Sequence, residues 1–278
     1  MKIDLHLHST ASDGVLTPAQ LVERAAQEGV GVAAITDHDT LDGAASLMGR
    51  ALPVRLLPGV ELSLRDRKGL HLLGYGLRQD TPLHRRVAEL SLARIDRARK
   101  MAALLEKEGM PIHIEGLLAS CTGSVGRPHL AREMVKCGYV MDVQEAFVRY
   151  LKEGCPCYVA GERLSMDEAL PLMAESGFVP VLAHPYQLEA DEITLRRLVR
   201  AWQAKGLAGM EVYHPSAQLK GYAPLEKMAR RMGLLVTGGS DFHQENDRKH
   251  GLPGCTSDDW RQAEEDLDAL ETAMNQRS

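Results

Sequence analysis

Residues 2–14 read KIDLHLHSTASDG and combine a short apolar strand with a polar turn. Apolar and polar residues alternate through its first half, which is the period of two expected of a β-strand. The alternation places His6 and His8 on one face, about 6–7 Å apart along the backbone. Imidazoles at that spacing can converge on one metal ion, and Asp13 adds a carboxylate. Two histidines on an exposed strand face are the plain alternative, but this strand is too apolar to lie at a sheet edge.

The composition is that of a folded chain of 278 residues, 44% of them hydrophobic, with a formal net charge of −5. No run of about 18 apolar residues is present, so we expect no membrane-spanning helix. The N-terminus lacks the segments of a secretory signal, and the five scattered cysteines favour reduced thiols, so we predict a cytoplasmic protein. The mild acidity argues against binding of duplex DNA, although a short phosphorylated ligand needs only a local positive site.

Further apolar strands alternate with helices along the chain, and most of these strands end in a polar motif. Such strands are predicted at residues 30–36, 54–61, 70–77, 178–183, 209–213 and 234–238, and a helix at residues 41–51 joins the first two of them. Strands that are apolar throughout are typical of a sheet covered on both faces. The repeat of strand, polar loop and helix predicts a parallel α/β barrel with its chemistry at the carboxyl ends of the strands.

The pattern changes between residues 81 and 158, where no apolar strand of this kind occurs. A long charged helix is predicted at residues 83–108, with shorter helices at 114–119, 128–137 and 142–153. We therefore predict a barrel formed by residues 1–81 and 158–278, with a helical lobe of residues 82–157 inserted over its mouth. On the long helix, Arg97, Arg99 and Lys100 are expected on a solvated face.

The strand ends and the loops after them carry nine residues that can bind a metal ion. They are His6, His8, Asp13, His38, Glu61, His71, His184, Asp241 and His243. Nitrogen and carboxylate ligands without cysteine suit Zn, Mn or Fe, and spacing does not choose between these metals. Nine ligands are too many for one ion, so we predict two or three divalent ions with Glu61 free to bridge.

Some of these nine residues could have a structural role instead of binding a metal ion. Asp13 could cap a turn, and His71 or His184 could be a buried structural histidine. The coincidence of such residues at nearly every strand end argues against that interpretation for the set. Three further histidines, His84, His113 and His250, are expected at the surface, and His214 stays ambiguous because it ends a strand without a second ligand nearby.

The ordered motifs DLHLHS, SDG, TDHD, GVELS, HLLGY, LAHP and GGSDFH resemble the PHP (polymerase and histidinol phosphatase) family. In the lobe, GRPHLAREMV followed by EAFVRYLKEGCPCYV resembles the branch of 3′,5′-nucleotide bisphosphate phosphatases and of enzymes that trim short RNA from its 5′ end. The resemblance implies an α/β fold, a distorted (β/α)7 barrel with an inserted helical lobe and a trinuclear metal site.

The resemblance also implies how the ligands are shared. One ion would bind His6, His8, Glu61 and Asp241, a second Glu61, His71 and His184, and a third Asp13, His38 and His243. Two departures from the family pattern bear on the substrate: Cys155 stands where a small or basic residue is expected, and Gln244 replaces a glycine after SDFH.

Arg127 and His129 in GRPH are the candidates for contact with a second phosphate group, because a guanidinium fork matches phosphate geometry. An exposed arginine at the start of a helix is the alternative. We predict a metal-dependent phosphoesterase that hydrolyses the 3′-phosphate of 3′,5′-bisphosphonucleotides such as pAp, with trimming of short RNA as an extension. Histidinol phosphatase is the enzymatic alternative, and a non-catalytic metal-binding PHP module is the alternative from another class.

Overall fold

The computed structural model describes residues 1–76, 78, 80–121, 123–245 and 250–277. Its seven strands form one curled sheet in chain order: β1 (Lys2–Leu7), β2 (Val30–Ile35), β3 (Arg55–Ser63), β4 (His71–Tyr75), β5 (Val179–Leu182), β6 (Gly209–Tyr213) and β7 (Leu235–Gly238). The helices are α1 (Pro18–Gln27), α2 (Asp42–Ala45), α3 (Pro82–Lys107), α4 (Ile114–Ser120), α5 (Arg127–Lys136), α6 (Val143–Ala146), α7 (Met166–Glu175), α8 (Glu192–Gln203), α9 (Ala223–Arg231) and α10 (Ala263–Gln276). This curled sheet with its helices confirms the predicted α/β fold class.

The first and last strands of the sheet, β1 and β7, approach each other just beyond β7, and the segment after β7 covers part of the edge that β1 would otherwise expose. The His8 backbone N–H donates to the Phe242 carbonyl at 3.0 Å, and the Asp241 N–H donates to the His6 carbonyl at 2.9 Å. A Cβ atom at Gly239 would lie 2.3 Å from the His6 Cβ, so this approach requires glycine. The contact brings the first and last polar motifs of the chain together.

The direction of β4 differs from the sequence prediction. Strands β1 to β3 are parallel to one another, as are β5 to β7, but β4 is antiparallel to both β3 and β5. Only residues 64–70 join β3 to β4, and a parallel pair needs a crossover of about a dozen residues or more. The prediction of an all-parallel barrel is therefore wrong at this strand.

Two helices also differ from the sequence prediction. The helix predicted at residues 41–51 is the short α2 followed by turns, and the one predicted at 142–153 is α6 continued by a π-helical turn, Phe147–Leu151. The predicted end of the fourth strand at residue 77 lies outside the described residues. Across the part of the chain that the structure describes, the helices all fall short of the length and apolarity that crossing a membrane requires.

The lobe has an apolar core of its own. Met101, Leu105, Met134 and Leu151 belong to a cluster of buried side chains that is separate from the core under the sheet. The first half of α3 packs instead against the sheet core, through residues such as Leu83. The division of the chain at residues 82 and 157 stays a prediction, and the separate cluster supports it.

Candidate metal centre

Glu61, near the carboxyl end of β3, lies at the centre of the nine predicted ligands. Its side chain is buried, and its two carboxylate oxygens lie 2.9–3.4 Å from ring nitrogens of five histidines: His6, His8, His38, His71 and His184. His6 lies next to the last residue of β1, His71 begins β4, and the other three follow strands: His8, His38 and His184. The curled sheet therefore gathers them around one carboxylate.

Asp241 and Asp13 complete two further groups. The Asp241 Oδ1 atom lies 3.4 Å from the His6 Nε2 and 3.2 Å from the His8 Nε2. The Asp13 Oδ1 atom lies 3.2 Å from the His243 Nε2. Among the described residues, four sets of ligand atoms come within 4.8 Å of one another: His6, His8, Glu61 and Asp241; His8, Asp13, His38 and His243; His38, Glu61 and His71; and Asp241, His243 and His250.

The first three sets correspond to the groups implied by the family resemblance, with three differences, and the fourth set has no counterpart among those groups. His8 also reaches the group of Asp13, and His38 also reaches the group of His71. His184 reaches that last group through Glu61, since its Nε2 atom lies 2.9 Å from the Glu61 Oε1.

Several buried atoms at this centre make no hydrogen bond with any described residue. They are the Nε2 atoms of His6 and His8, the Nδ1 of His38, the Oδ1 of Asp13 and the Oε2 of Glu61. Buried polar atoms are nearly always paired, and nitrogen and oxygen lone pairs that converge without hydrogen bonds are the arrangement that a divalent cation satisfies. The residues present therefore fit divalent metal ions.

The charges at the centre favour cation binding. Burial alone would raise the pKa of Glu61, but the nearby imidazoles outweigh burial and hold it well below its usual range. Burial lowers the pKa of His8, yet Asp241 and Glu61 raise it to about 10. The metal-free protein thus holds protons where it could hold metal, and metal binding must displace them.

One side of the centre is open to solvent. The side chains of His6 and His8 are fully buried, whereas those of His38, His71 and His243 are 15%, 22% and 13% exposed. Solvent therefore reaches the centre from the side of these three histidines.

The lobe contacts the loops that carry these ligands. The Arg94 guanidinium on α3 forms an ion pair with Asp39, next to His38. The Ser124 N–H donates to the Ala11 carbonyl at 2.7 Å, and another lobe arginine, Arg132, donates to the Asp13 carbonyl at 3.0 Å. The lobe thus lies beside the open side of the centre.

The two predicted phosphate-binding residues lie at the start of α5 in this lobe. The His129 Nδ1 accepts a hydrogen bond from the Gly126 N–H at 3.0 Å, so this nitrogen caps the helix. The Arg127 guanidinium lies 5.5 Å from the Phe147 ring centroid and 5.8 Å from that of Tyr158. Of the two departures from the family pattern, Cys155 donates its thiol to the Val148 carbonyl at 3.2 Å, and Gln244 lies partly exposed after His243.

Glu211, on β6, is a residue of the centre that the sequence analysis missed. Its Oε1 accepts from the His6 Nδ1 at 2.9 Å, and its Oε2 accepts from the His184 backbone N–H at 2.7 Å. The first bond holds a proton on the His6 Nδ1, so the Nε2, which faces Glu61 and Asp241, is the nitrogen left to bind a metal ion. No sequence motif surrounds Glu211, so only the fold identifies it.

Two further histidines also reach the centre. The Nε2 atoms of His214 and His250 each lie 3.3 Å from the Asp241 Oδ2. The prediction of a surface position for His250 is wrong, because its side chain is only 17% exposed. His214 precedes a proline at a strand end, as His184 does, and that shared signal could have identified it.

Backbone strain is concentrated at this centre. Asp39, His184 and Asp241 have φ angles of 51°, 26° and 55°, a region that residues other than glycine rarely adopt. Such strain persists where the surroundings hold a residue firmly and is common at functional sites.

Residues 4–154 match the PHP domain. The chain belongs to the PHP family. It is 35% identical to a 3′,5′-nucleoside bisphosphate phosphatase of Chromobacterium violaceum over 94% of this chain and 96% of that protein. It is 34% identical to the 5′-3′ exoribonuclease Rnm of Escherichia coli over 98% of this chain and 97% of that protein. A solved structure, that of a candidate metal-dependent phosphoesterase from Bifidobacterium adolescentis, matches with a TM-score of 0.82 and 27% identity over 98% of this chain and 96% of that one.

Proposed function

We propose that this PHP protein is a metal-dependent phosphoesterase that removes the 3′-phosphate from small 3′,5′-bisphosphonucleotides, converting pAp to AMP and phosphate. The predicted enzyme class, a phosphoric ester hydrolase, agrees with the names of its relatives. The observation that carries the proposal is the convergence of buried imidazole and carboxylate atoms around Glu61, several of which make no hydrogen bond with a described residue. Trimming of short RNA from its 5′ end is the related activity proposed on the same site.

The nine predicted residues would hold two or three divalent ions, with Mn, Zn and Fe as the candidates. Bound ions of this kind supply Lewis-acid activation of water and neutralise charge on the phosphoryl group. The chain itself supplies the ligands, and Glu211 orients one of them. In the overall reaction, water adds to phosphorus while the bond between phosphorus and the 3′ oxygen breaks.

The lobe supports a nucleotide substrate over a small phosphate monoester. Its contacts with the Ala11 and Asp13 carbonyls place α5 beside the solvent-exposed ligands. We propose that the lobe, residues 82–157, covers the bound nucleotide and that Arg127 contacts its second phosphate group. His129 would act by fixing the start of α5, because its Nδ1 already accepts the Gly126 N–H.

The test compares substrates on one preparation. Purified protein loaded with Mn, Zn or Fe is assayed for phosphate release from pAp and histidinol phosphate, and for AMP release from a short 5′-phosphorylated RNA. We expect the highest kcat/KM on pAp and its loss with a chelator. Preferred turnover of histidinol phosphate would reject the substrate while leaving the phosphoesterase in place.

The alternative to an enzyme is a metal-binding module without catalytic activity, which would turn over no phosphoester. The control is His8→Ala, which removes one ligand while its circular dichroism spectrum reports whether the fold is retained. Metal-dependent hydrolysis in the parent protein that is absent from this variant supports an enzyme. A tight protein partner together with no turnover supports the module. The cytoplasmic location and the exclusion of duplex DNA stay predictions.

A further inference from the structure

The outer helices α8 and α9 form a groove that is lined mainly by cationic side chains. They follow β5 and β6, which are neighbours in the sheet, and the Gln203 side chain donates to the Met232 carbonyl at 2.7 Å between them. The groove has a volume of about 530 Å³, which is within the range of ligand-binding clefts. Its charged lining residues are Glu192, Arg196, Arg200, Lys227 and Arg231. Four of these five are cationic, in a protein whose formal net charge is −5.

The spacing of the four cations places them on one side of the helix pair. Arg196 and Arg200 are four residues apart on α8, and Lys227 and Arg231 are four residues apart on α9. Residues at that spacing share one face of a helix. The buried residues of both helices pack in the core under the sheet. The four cations are exposed, so this groove presents its positive charge to solvent.

Most of this positive charge has no carboxylate partner. Arg196 forms an ion pair with Glu192 on its own helix. Within the described part of the chain, no carboxylate lies within ion-pair distance of the other three cations: Arg200, Lys227 and Arg231. A row of uncompensated cations attracts a ligand that carries several negative charges.

One end of the groove lies next to the metal centre. His184 is followed directly by a short helical turn, Pro185–Leu188, and Glu192 then begins α8. The Lys220 Nζ lies 4.6 Å from the ring centroid of Tyr186 on this turn. Burial and then the charge of Glu192 raise the pKa of Tyr186, as is expected for neighbouring side chains. Lys220 therefore extends the positive charge of the groove toward His184.

The other end of the groove lies two helical turns away. Arg200 follows Glu192 by eight residues, which corresponds to about 12 Å along α8. Arg231 is the last residue of α9. A mononucleotide held at the metal centre does not span this length, whereas a strand of several nucleotides does.

We propose that this groove binds the phosphodiester backbone of single-stranded RNA whose 5′ end lies at the metal centre. Regularly spaced phosphates along a flexible strand complement a row of cations, and backbone contacts of this kind are tolerant of base sequence. The identification of the ligand as RNA rests on the proposed activity on short RNA. The groove itself rests on its four cations and on its position beside His184.

The test uses the double variant Arg200→Gln, Arg231→Gln, which neutralises the end of the groove farthest from the metal centre. The matched control is Arg50→Gln, Arg261→Gln, which neutralises two exposed arginines outside the groove. A second double variant, Arg200→Lys, Arg231→Lys, keeps the charge and separates its loss from any change in packing. Thermal unfolding reports whether each variant retains the fold.

Two measurements are made on every variant. Binding of a 5′-phosphorylated single-stranded RNA of about 12 nucleotides, a length within the site sizes of single-strand-binding proteins, is followed by fluorescence anisotropy. A chelator prevents hydrolysis, and the titration is repeated over a range of salt concentrations. In the metal-loaded protein, kcat/KM is measured for the same RNA and for pAp.

The expected effect follows from counterion release. Each phosphate that a protein neutralises on a single strand contributes about 0.7 to the slope of log K against log[salt]. If each arginine contacts one phosphate, the glutamine double variant reduces that slope by about 1.4 and weakens RNA binding about 10-fold at roughly 0.2 M salt and about 60-fold at roughly 0.05 M salt. We expect a similar loss of kcat/KM on RNA, mainly through KM, and the parent value on pAp. The lysine double variant and the control pair should bind RNA as the parent does.

An unchanged salt slope, or a loss of RNA affinity no larger than that of the control pair, would overturn the proposal. Equal losses of kcat/KM on RNA and on pAp would also overturn it, because they indicate a structural role for the two arginines. Vesicles of phosphatidylglycerol test the other class of anionic partner. If the glutamine variant loses binding to the vesicles but keeps its binding to RNA, the groove faces a membrane and the proposal fails. If the parent hydrolyses neither pAp nor RNA, the proposed function fails, and the anisotropy measurements alone decide whether the groove binds RNA.

Discussion

Replacing Glu211 with glutamine tests whether one buried carboxylate sets the geometry of the metal centre. Both Glu211 oxygens accept hydrogen bonds, one from the His6 ring and one from the His184 backbone. Glutamine has the same shape but offers one oxygen and one NH2 group. One of the two donors is then left facing an NH2 group, or the His6 ring changes tautomer and turns its proton toward the metal ligands.

Either outcome weakens metal binding. A buried donor without an acceptor costs about 1–3 kcal/mol, and loss of an outer partner of a metal-binding histidine typically lowers affinity about 10- to 100-fold. These two ranges agree, because about 1.4 kcal/mol corresponds to a factor of ten. We therefore expect Glu211→Gln to raise the Kd for Mn²⁺ about 10- to 100-fold.

The assay is titration of metal-stripped protein with Mn²⁺, followed by calorimetry and by direct measurement of bound metal. Glu175→Gln is the matched control, since it removes one negative charge at an exposed position on α7. Urea unfolding of the metal-free proteins separates loss of metal affinity from loss of the fold. A folded Glu211→Gln protein with the parent affinity would refute the positioning role.

Three other perturbations have defined outcomes. His8→Ala should lower Mn²⁺ affinity by more than about 100-fold, because removal of a ligand costs more than removal of a residue that only hydrogen-bonds to a ligand. Bound metal is measured after dialysis, and retained metal would contradict the role of His8 as a ligand. Gly239→Ala places a Cβ 2.3 Å from that of His6 and should lower the free energy of unfolding by about 1–3 kcal/mol in urea; an unchanged midpoint would contradict this steric argument. Burial and then the charge of Asp4 raise the pKa of Cys255 to about 12, so its reactive thiolate is scarce at pH 8 and iodoacetamide should label the exposed Cys137 first. Mass spectrometry reports the order, and equal labelling at pH 8 would contradict it.

The local pattern of β1 was sufficient to predict its histidines. Alternation along a strand fixes which side chains share a face, and the rings of His6 and His8 lie 5.1 Å apart in the structure. The other predicted residues stand at or near strand ends. Because the ends of neighbouring strands meet at one edge of a sheet, the sequence was sufficient to predict that these residues lie close together. Their roles as ligands stay a prediction until metal is bound.

The direction of β4 and the residues that hydrogen-bond to the predicted ligands were harder to predict. An apolar strand has the same composition in either direction, and only the short connection of residues 64–70 signals that β4 is antiparallel. Glu211 lies within β6, and its partners are distant in the sequence. Arg97 has the spacing of an exposed helical face, but residues 158–159 fold back over it. Such contacts depend on tertiary structure, which local periodicity does not report.

The contact between β1 and the loop after β7 has a consequence for biosynthesis. The Ser240 N–H donates to the Asp4 carboxylate across a separation of 236 residues. During translation, β1 leaves the ribosome before the other six strands and must wait for the 236 residues of this separation before its neighbour arrives. Contacts of such high sequence separation slow folding. A truncated product that ends before β7 therefore lacks Asp241 and His243, even where its earlier strands have formed.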